Sequence, residues 1–131
     1  MEENKIKLED LTWRTFESEA DLSMIMKMMT RDLSEPYPIY TYRFFVQQWP
    51  ELTLLAYHKD KCLGCIVSKL DVHKKNKIGE TSMRKRGYIA MLSVEPEFRK
   101  IGLGRLLVKK SIDLMVEQGA DEILIETEVT N

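Results

Sequence analysis

The sequence predicts an α/β fold, on three observations. Apolar residues recur at helical spacing between residues 18 and 49. The pattern then switches to strand-like runs on either side of a polar turn, between residues 52 and 70. Last, an apolar strand, a helix and a second strand follow one another over residues 87–129. Strand, crossover helix and strand make a βαβ unit, a connection that is almost always right-handed.

Each element has its own signal. Residues 1–17 are mixed, with strand character at Leu11-Thr12-Trp13-Arg14. Ser18, with Asp21 three residues on, resembles a capping box. Leu22, Ile25, Met28 or Met29, and Leu33 then share one helical face. Ser34-Glu35-Pro36-Tyr37-Pro38 breaks that helix, because each proline disfavours helical geometry before it. Thr41 is placed to cap a second helix, with its stripe at Tyr42, Phe45, Val46 and Trp49 and its stop at Pro50. Leu52 to Tyr57 and Cys62 to Leu70 read as a hairpin around Lys59-Asp60-Lys61. Residues 74–86 carry Lys or Arg at 74, 75, 77, 84, 85 and 86 and read as a mobile basic loop. The run holds no aromatic residue on which a base could stack, which favours a solvated loop over a nucleic-acid site. Tyr88 to Val94 is apolar in both alternate sets, as in a strand covered on two faces. A helix is expected from Gly102 to Gln118 with Gly119 after it, then a strand from Glu122 to Val129.

Bulk properties bound the function. A chain of 131 residues suffices for one domain with one core. With 44% apolar and 31% charged residues, it has the balance of a folded protein. A net charge of −1 provides no global attraction to nucleic acid or to a membrane surface, so neither partner is expected. No run approaches the roughly 20 apolar residues of a membrane helix, and the first residues lack the pattern of a signal peptide. The expected location is the cytoplasm or the nucleus. Cys62 and Cys65 have C-x-x-C spacing but no second pair for zinc, and no metal is expected. On a regular strand they would point to opposite faces and act as small buried hydrophobes. His58 and His73 sit near turns and receive no role.

The stretch Arg99-Lys100-Ile101-Gly102-Leu103-Gly104-Arg105 joins the buried strand to a helix start. Free N–H groups and partial positive charge gather at that end of a helix, so three cations there conflict with it. An anion between them removes the conflict, and the glycines let backbone N–H groups approach a phosphate. Taken alone, R-x-x-G-x-G is equally a helix start with two glycines and chance basic residues. It is neither a P-loop nor a G-x-G-x-x-G fingerprint.

Arg99-x-x-Gly102-x-Gly104 resembles the acetyl-CoA motif (Q/R)-x-x-G-x-(G/A) of the GNAT superfamily. Ser34-Glu35-Pro36-Tyr37, Tyr40-Thr41-Tyr42-Arg43, Trp49-Pro50, Arg86 to Leu92, and Leu124-Ile125-Glu126-Thr127-Glu128 narrow the likeness. They resemble the catalytic subunits of NatC-type protein N-terminal acetyltransferases, from about Asp32 to Asn131. The resemblance implies a GNAT fold, a mixed central sheet with flanking helices, as a single domain over residues 1–131. It also implies transfer of acetyl from acetyl-CoA to the α-amine of nascent chains that start with Met and a bulky apolar residue. Residues 74–86 look longer than the family's loop. The family also continues past its E-T-E-x-x-N segment, where this chain stops at Asn131. The domain is therefore expected to lack its last helix and strands, with a family tyrosine among them, and to have reduced or no acetyltransferase activity where an extended form is active.

Site residues follow from the same resemblance. Leu92, Ser93 and Val94 would meet the pantetheine. Arg99, Lys100, Gly102, Gly104 and Arg105 would surround the pyrophosphate, and Asn131 would contact CoA. Glu35 and Tyr37 would grip the peptide N-terminus, although by themselves they read as a proline-kinked loop. Glu126 would be the base, through a water. By residue type alone it reads as a solvated carboxylate on a sheet edge, and its strand parity places it with Leu124 and Glu128. Auxiliary NatC subunits would dock on the helices of residues 18–49 and provide association with the ribosome. Two other readings stay open: an inactive module that binds acetyl-CoA or a subunit, and a GNAT enzyme acting on another amine.

Overall fold

A computed structural model describes residues 6–33, 35, 37–77 and 80–125. Five strands form one sheet in the order β1-β2-β3-β4-β5: β1 (Thr12–Thr15), β2 (Thr53–His58), β3 (Lys61–Lys77), β4 (Glu80–Val94) and β5 (Glu122–Ile125). All neighbours are antiparallel except β4 and β5, which run parallel. Helices α1 (Glu19–Asp32) and α2 (Ile39–Gln48) lie on one face and α3 (Leu103–Glu117) on the other. The sheet is mixed and flanked by helices, as expected.

The helical stripe of α1 is buried at Leu22, Ile25, Met28 and Met29, and packs with Tyr42, Phe45 and Val46 of α2 against Leu55, Cys65 and Val67. On the other face Leu103, Leu107 and Met115 of α3 pack on Leu54, Leu63, Ile66 and Ile89. α1 begins at the Ser18–Asp21 capping box. α2 begins earlier than Thr41, directly after Pro38, which stands extended as its N-cap and accepts the Thr41 N–H on its carbonyl at 3.0 Å. α3 ends as expected: Gly119 takes φ +96°, Gly119 N–H donates to Val116 O and Ala120 N–H to Met115 O.

Two expectations are corrected. Cys62 and Cys65 face the same helical layer. Ala56 opposes Gly64 and Tyr57 opposes Cys62, so Leu63 is an extra residue in β3. This bulge turns Leu63 to the α3 side and brings the cysteines to one face. Both are free thiols, and burial pushes Cys62 up to about 11 and Cys65 well above its usual range. The second correction concerns residues 74–86, which are not a loop. β3 and β4 stay paired from Gly64↔Val94 out to Lys77↔Glu80. Beyond Val67 β3 has no β2 partner, and before Arg86 β4 has no β5 partner. The two strands satisfy each other's backbone groups, so this ribbon needs no apolar alternation. Its apolar residues Val72 and Met83 are exposed accordingly.

Candidate active site

The parallel step from β4 to β5 organises the site. Pairing covers Arg86↔Glu122 to Ile89↔Ile125, so Ala90–Val94 has no partner on that side among the described residues. Glu95 N–H donates to Leu63 O on the β3 side. Backbone direction alternates along a strand, so Leu92 and Val94 turn their N–H and C=O groups to the open edge. At the end of this edge a 3-10 turn, Pro96–Ile101, leads into α3. Gly102 stands between them at φ +88°, a backbone region costly for any residue with a Cβ. The first N–H groups of α3, from Leu103 to Arg105, have no acceptor within the helix.

Gly104 differs from Gly102. A Cβ there would meet Val94 Cγ2 at 3.6 Å and Leu92 Cδ2 at 4.0 Å, which is ordinary contact. Neither packing nor φ requires glycine, yet glycine weakens a helix. What its missing side chain leaves is bare backbone at the helix start. Lys100 and Arg105 flank it, exposed and without an ion-pair partner among the described residues. The open strand edge, the positive helix end and two free cations suit a pyrophosphate linked to an extended amide chain.

Arg99 does something else. Its Nε donates to Val94 O at 3.0 Å and its Nη2 to Asp32 Oδ1 at 2.9 Å. Asp32, at the end of α1, also accepts Arg31 Nε at 2.8 Å and the Ser93 hydroxyl. Arg31 reaches on to Glu95 Oε2 at 2.9 Å. Burial opposes the charge on Asp32, but bonds from Arg31 and Ser93, and the Arg31 and Arg99 charges, outweigh it and hold the carboxyl below its ordinary range. The motif arginine and the Ser93 hydroxyl are therefore held by protein partners. Asp32 carried no signal in the sequence beyond its place at a helix end.

On the other side of β4 lies a cleft of about 500 Å³ whose lining includes Tyr37, Phe45, Tyr88, Met91 and Leu124. Its charges are paired: Lys69 with Asp71 at 2.7 Å and Arg86 with Glu122 at 3.2 Å. Lys69 also lies over the Tyr88 ring, 5.5 Å from its centroid. Tyr37, one of the two residues expected to grip the peptide, is at this cleft, edge-on to Tyr42. Glu35 is exposed and does not line it. Tyr88, Lys69, Asp71 and Arg86 were missed by sequence reasoning, because only the strand pairing brings them beside α2. Glu126 and Asn131 lie outside the described residues. Among the described residues no group of His, Cys, Asp or Glu could hold a metal ion, and no helix is long and apolar enough to cross a membrane.

The comparisons agree with this geometry. A family model described as the acetyltransferase (GNAT) family matches residues 22–131. The chain belongs to the GNAT acetyltransferase family. Within this GNAT family, N-alpha-acetyltransferase 30 of Xenopus laevis is 53% identical over 116 residues, covering 88% of this chain and 40% of its own. N-alpha-acetyltransferase 30 of Schizosaccharomyces pombe is 44% identical over 110 residues, covering 84% of this chain and 69% of its own. A chain in a crystal structure of the NatC complex bound to Gag peptide and CoA superposes with a TM-score of 0.80 at 41% identity. That match covers 93% of this GNAT chain and 77% of the other. The chain spans 40% or less of the length of its vertebrate relatives.

Proposed function

We propose that this GNAT domain transfers acetyl from acetyl-CoA to the α-amino group of protein chains that begin with Met and a bulky apolar residue, as a NatC-type enzyme does. One observation carries the reading. A single strand, β4, whose edge from Leu92 to Val94 has no strand partner among the described residues, would give that edge to one ligand, and it lines with Ala90 and Met91 the cleft that would hold the other. The pyrophosphate would sit on Gly102–Arg105 and the pantetheine along Leu92–Val94, which leads the thioester towards Ala90. The peptide would lie in the cleft with Tyr37 at its rim. The relatives' names, and the CoA and peptide bound in the NatC crystal structure, support this pair of ligands.

The chemistry sets further demands. An α-ammonium has a pKa of about 7.7–8.0, so at neutral pH it must lose a proton before it attacks. Glu126 is the proposed base, through a water. It follows by two residues Leu124, which lines the cleft. Nitrogen adds to the thioester carbon, the C–S bond breaks, and the thiolate of CoA leaves. Auxiliary subunits on α1 and α2, ribosome association through them, CoA contact at Asn131, a grip by Glu35 and a cytoplasmic or nuclear location belong to the same proposal. The test incubates the protein with acetyl-CoA and Met-Leu, Ser-Leu and internal-lysine peptides and locates the product by mass spectrometry. Acetyl on the α-amine of the Met-Leu peptide supports the reading. Acetyl on the internal lysine and none on the α-amine refutes it.

A further inference from the structure

Asp32 lies beside the proposed cofactor site, in contact with Ser93 and Arg99. It closes α1, and the segment expected to meet the peptide follows it at once. Its carboxylate binds the strand end through Ser93 and the cofactor turn through Arg99. The side chain is only 10% exposed, while that of Arg99 is 39% exposed. Four anchors meet there: Ser93 of β4, Arg31 of α1, Arg99 of the turn and, through both arginines, Val94 O. Val94 O is the last carbonyl of the open edge, and two guanidinium groups already occupy it.

We propose that Asp32 is a positioning residue for the cofactor site, and that Arg99 acts through it as a clamp on the 95–102 turn and not as a ligand to the pyrophosphate. This rests on the reading that CoA binds at Gly102–Arg105. Geometry separates the two roles of Arg99. Nε and Nη2 are spent on Val94 O and Asp32 Oδ1, which draws the guanidinium back over β4. Lys100 and Arg105, exposed beside the bare helix start, have no ion-pair partner among the described residues. A clamp needs the planar fork of arginine, because one group must bridge two acceptors in fixed directions. The same fork also suits a phosphate, so what separates the roles by experiment is the salt dependence of binding, which falls only where a cation that touches phosphate is lost.

The experiment is calorimetric titration of CoA into wild type, Asp32→Asn, Arg99→Lys and the double variant, at two salt concentrations, with melting curves for each. Wild type that binds no CoA would remove the functional reading itself. Given wild-type binding, the clamp predicts that each single variant loses about tenfold or more in affinity, as a displaced site does. The double variant loses no more than the worse single one. The salt dependence of binding stays at the wild-type slope, because no phosphate contact has gone. Wild-type affinity in a folded Asp32→Asn protein overturns the proposal. So does Arg99→Lys binding as wild type, or losses that add in the double variant. If Asp32→Asn fails to fold, Arg99→Gln decides by its salt dependence: weak binding at the wild-type slope supports the clamp, and weak binding at a reduced slope refutes it.

Discussion

The two motif glycines should respond to alanine with opposite signs. Gly102 has φ +88° and open space around its missing Cβ, with Leu8 Cδ1 at 4.0 Å the nearest atom. Alanine there meets no clash, and its cost is the left-handed backbone alone, about 1–2 kcal/mol. Gly104 is in α3 with ordinary contacts at 3.6 and 4.0 Å. Alanine there adds helix propensity without overpacking and gains up to about 1 kcal/mol. The two variants should differ by about 1–3 kcal/mol, which for a domain of this size is roughly 3–15 °C in Tm. Calorimetric melting without ligand reads this directly. CoA affinity then separates stability from function: Gly104→Ala keeps it, whereas Gly104→Leu, stable but bulky over the first-turn N–H groups, loses it. Shifts of the same sign for the two alanine variants would refute the argument, since only backbone conformation distinguishes the positions.

Other consequences can be checked in parallel. Asp21 is buried and takes Arg14 Nη1 at 2.8 Å and Nη2 at 2.7 Å, and the Arg14 bonds hold its carboxyl below the ordinary range. Asp21→Ala removes both of these bonds but leaves Arg14, a third exposed, with Glu17 and the Tyr57 hydroxyl, and should cost about 1–3 kcal/mol by denaturant titration. Asp21 and Asp32 both have lowered folded pKa values, so their stabilisation is complete above the unfolded carboxylate value of about 3.9 and disappears as pH falls through the folded ones. Tm should therefore drop below about pH 4, and less steeply in Asp21→Asn. A Cβ on Gly87 would lie 2.6 Å from Met115 Sδ and 3.2 Å from Ile123 Cγ1. Gly87→Val should cost about 1–3 kcal/mol and disturb the β4–β5 step, seen as a lower unfolding midpoint. Tyr37→Ala, at the rim of the cleft, should raise the KM for peptide several-fold, as about 1 kcal/mol of lost contact would, and leave that for acetyl-CoA unchanged.

Much of this was legible in the sequence wherever period and burial agree. The stripe Leu22, Ile25, Met28, Met29 is the buried face of α1, and the doubly apolar Tyr88–Val94 is a strand covered on both sides. The ribbon was not legible, because strands that face solvent on both sides need no alternation. Nor was the bulge at Leu63, which depends on register with Ala56 and Tyr57. At the site, the glycines announced themselves by type, but the partners of Arg99 did not. Whether an arginine faces a phosphate or a carboxylate depends on what another element brings beside it, and Asp32 is 67 residues away in the chain. The cleft residues Lys69 and Tyr88 are neighbours through the register Lys69↔Tyr88, which spacing alone does not reveal.

The most direct test of the central claim is calorimetric titration of CoA into wild type and Gly102→Val, with a melting curve to show that both are folded. The β4–α3 junction predicts one CoA per chain in wild type and binding lost in Gly102→Val, because the αL turn and the backbone approach both fail. Equal CoA affinity in the two folded proteins, or none in wild type, would contradict it.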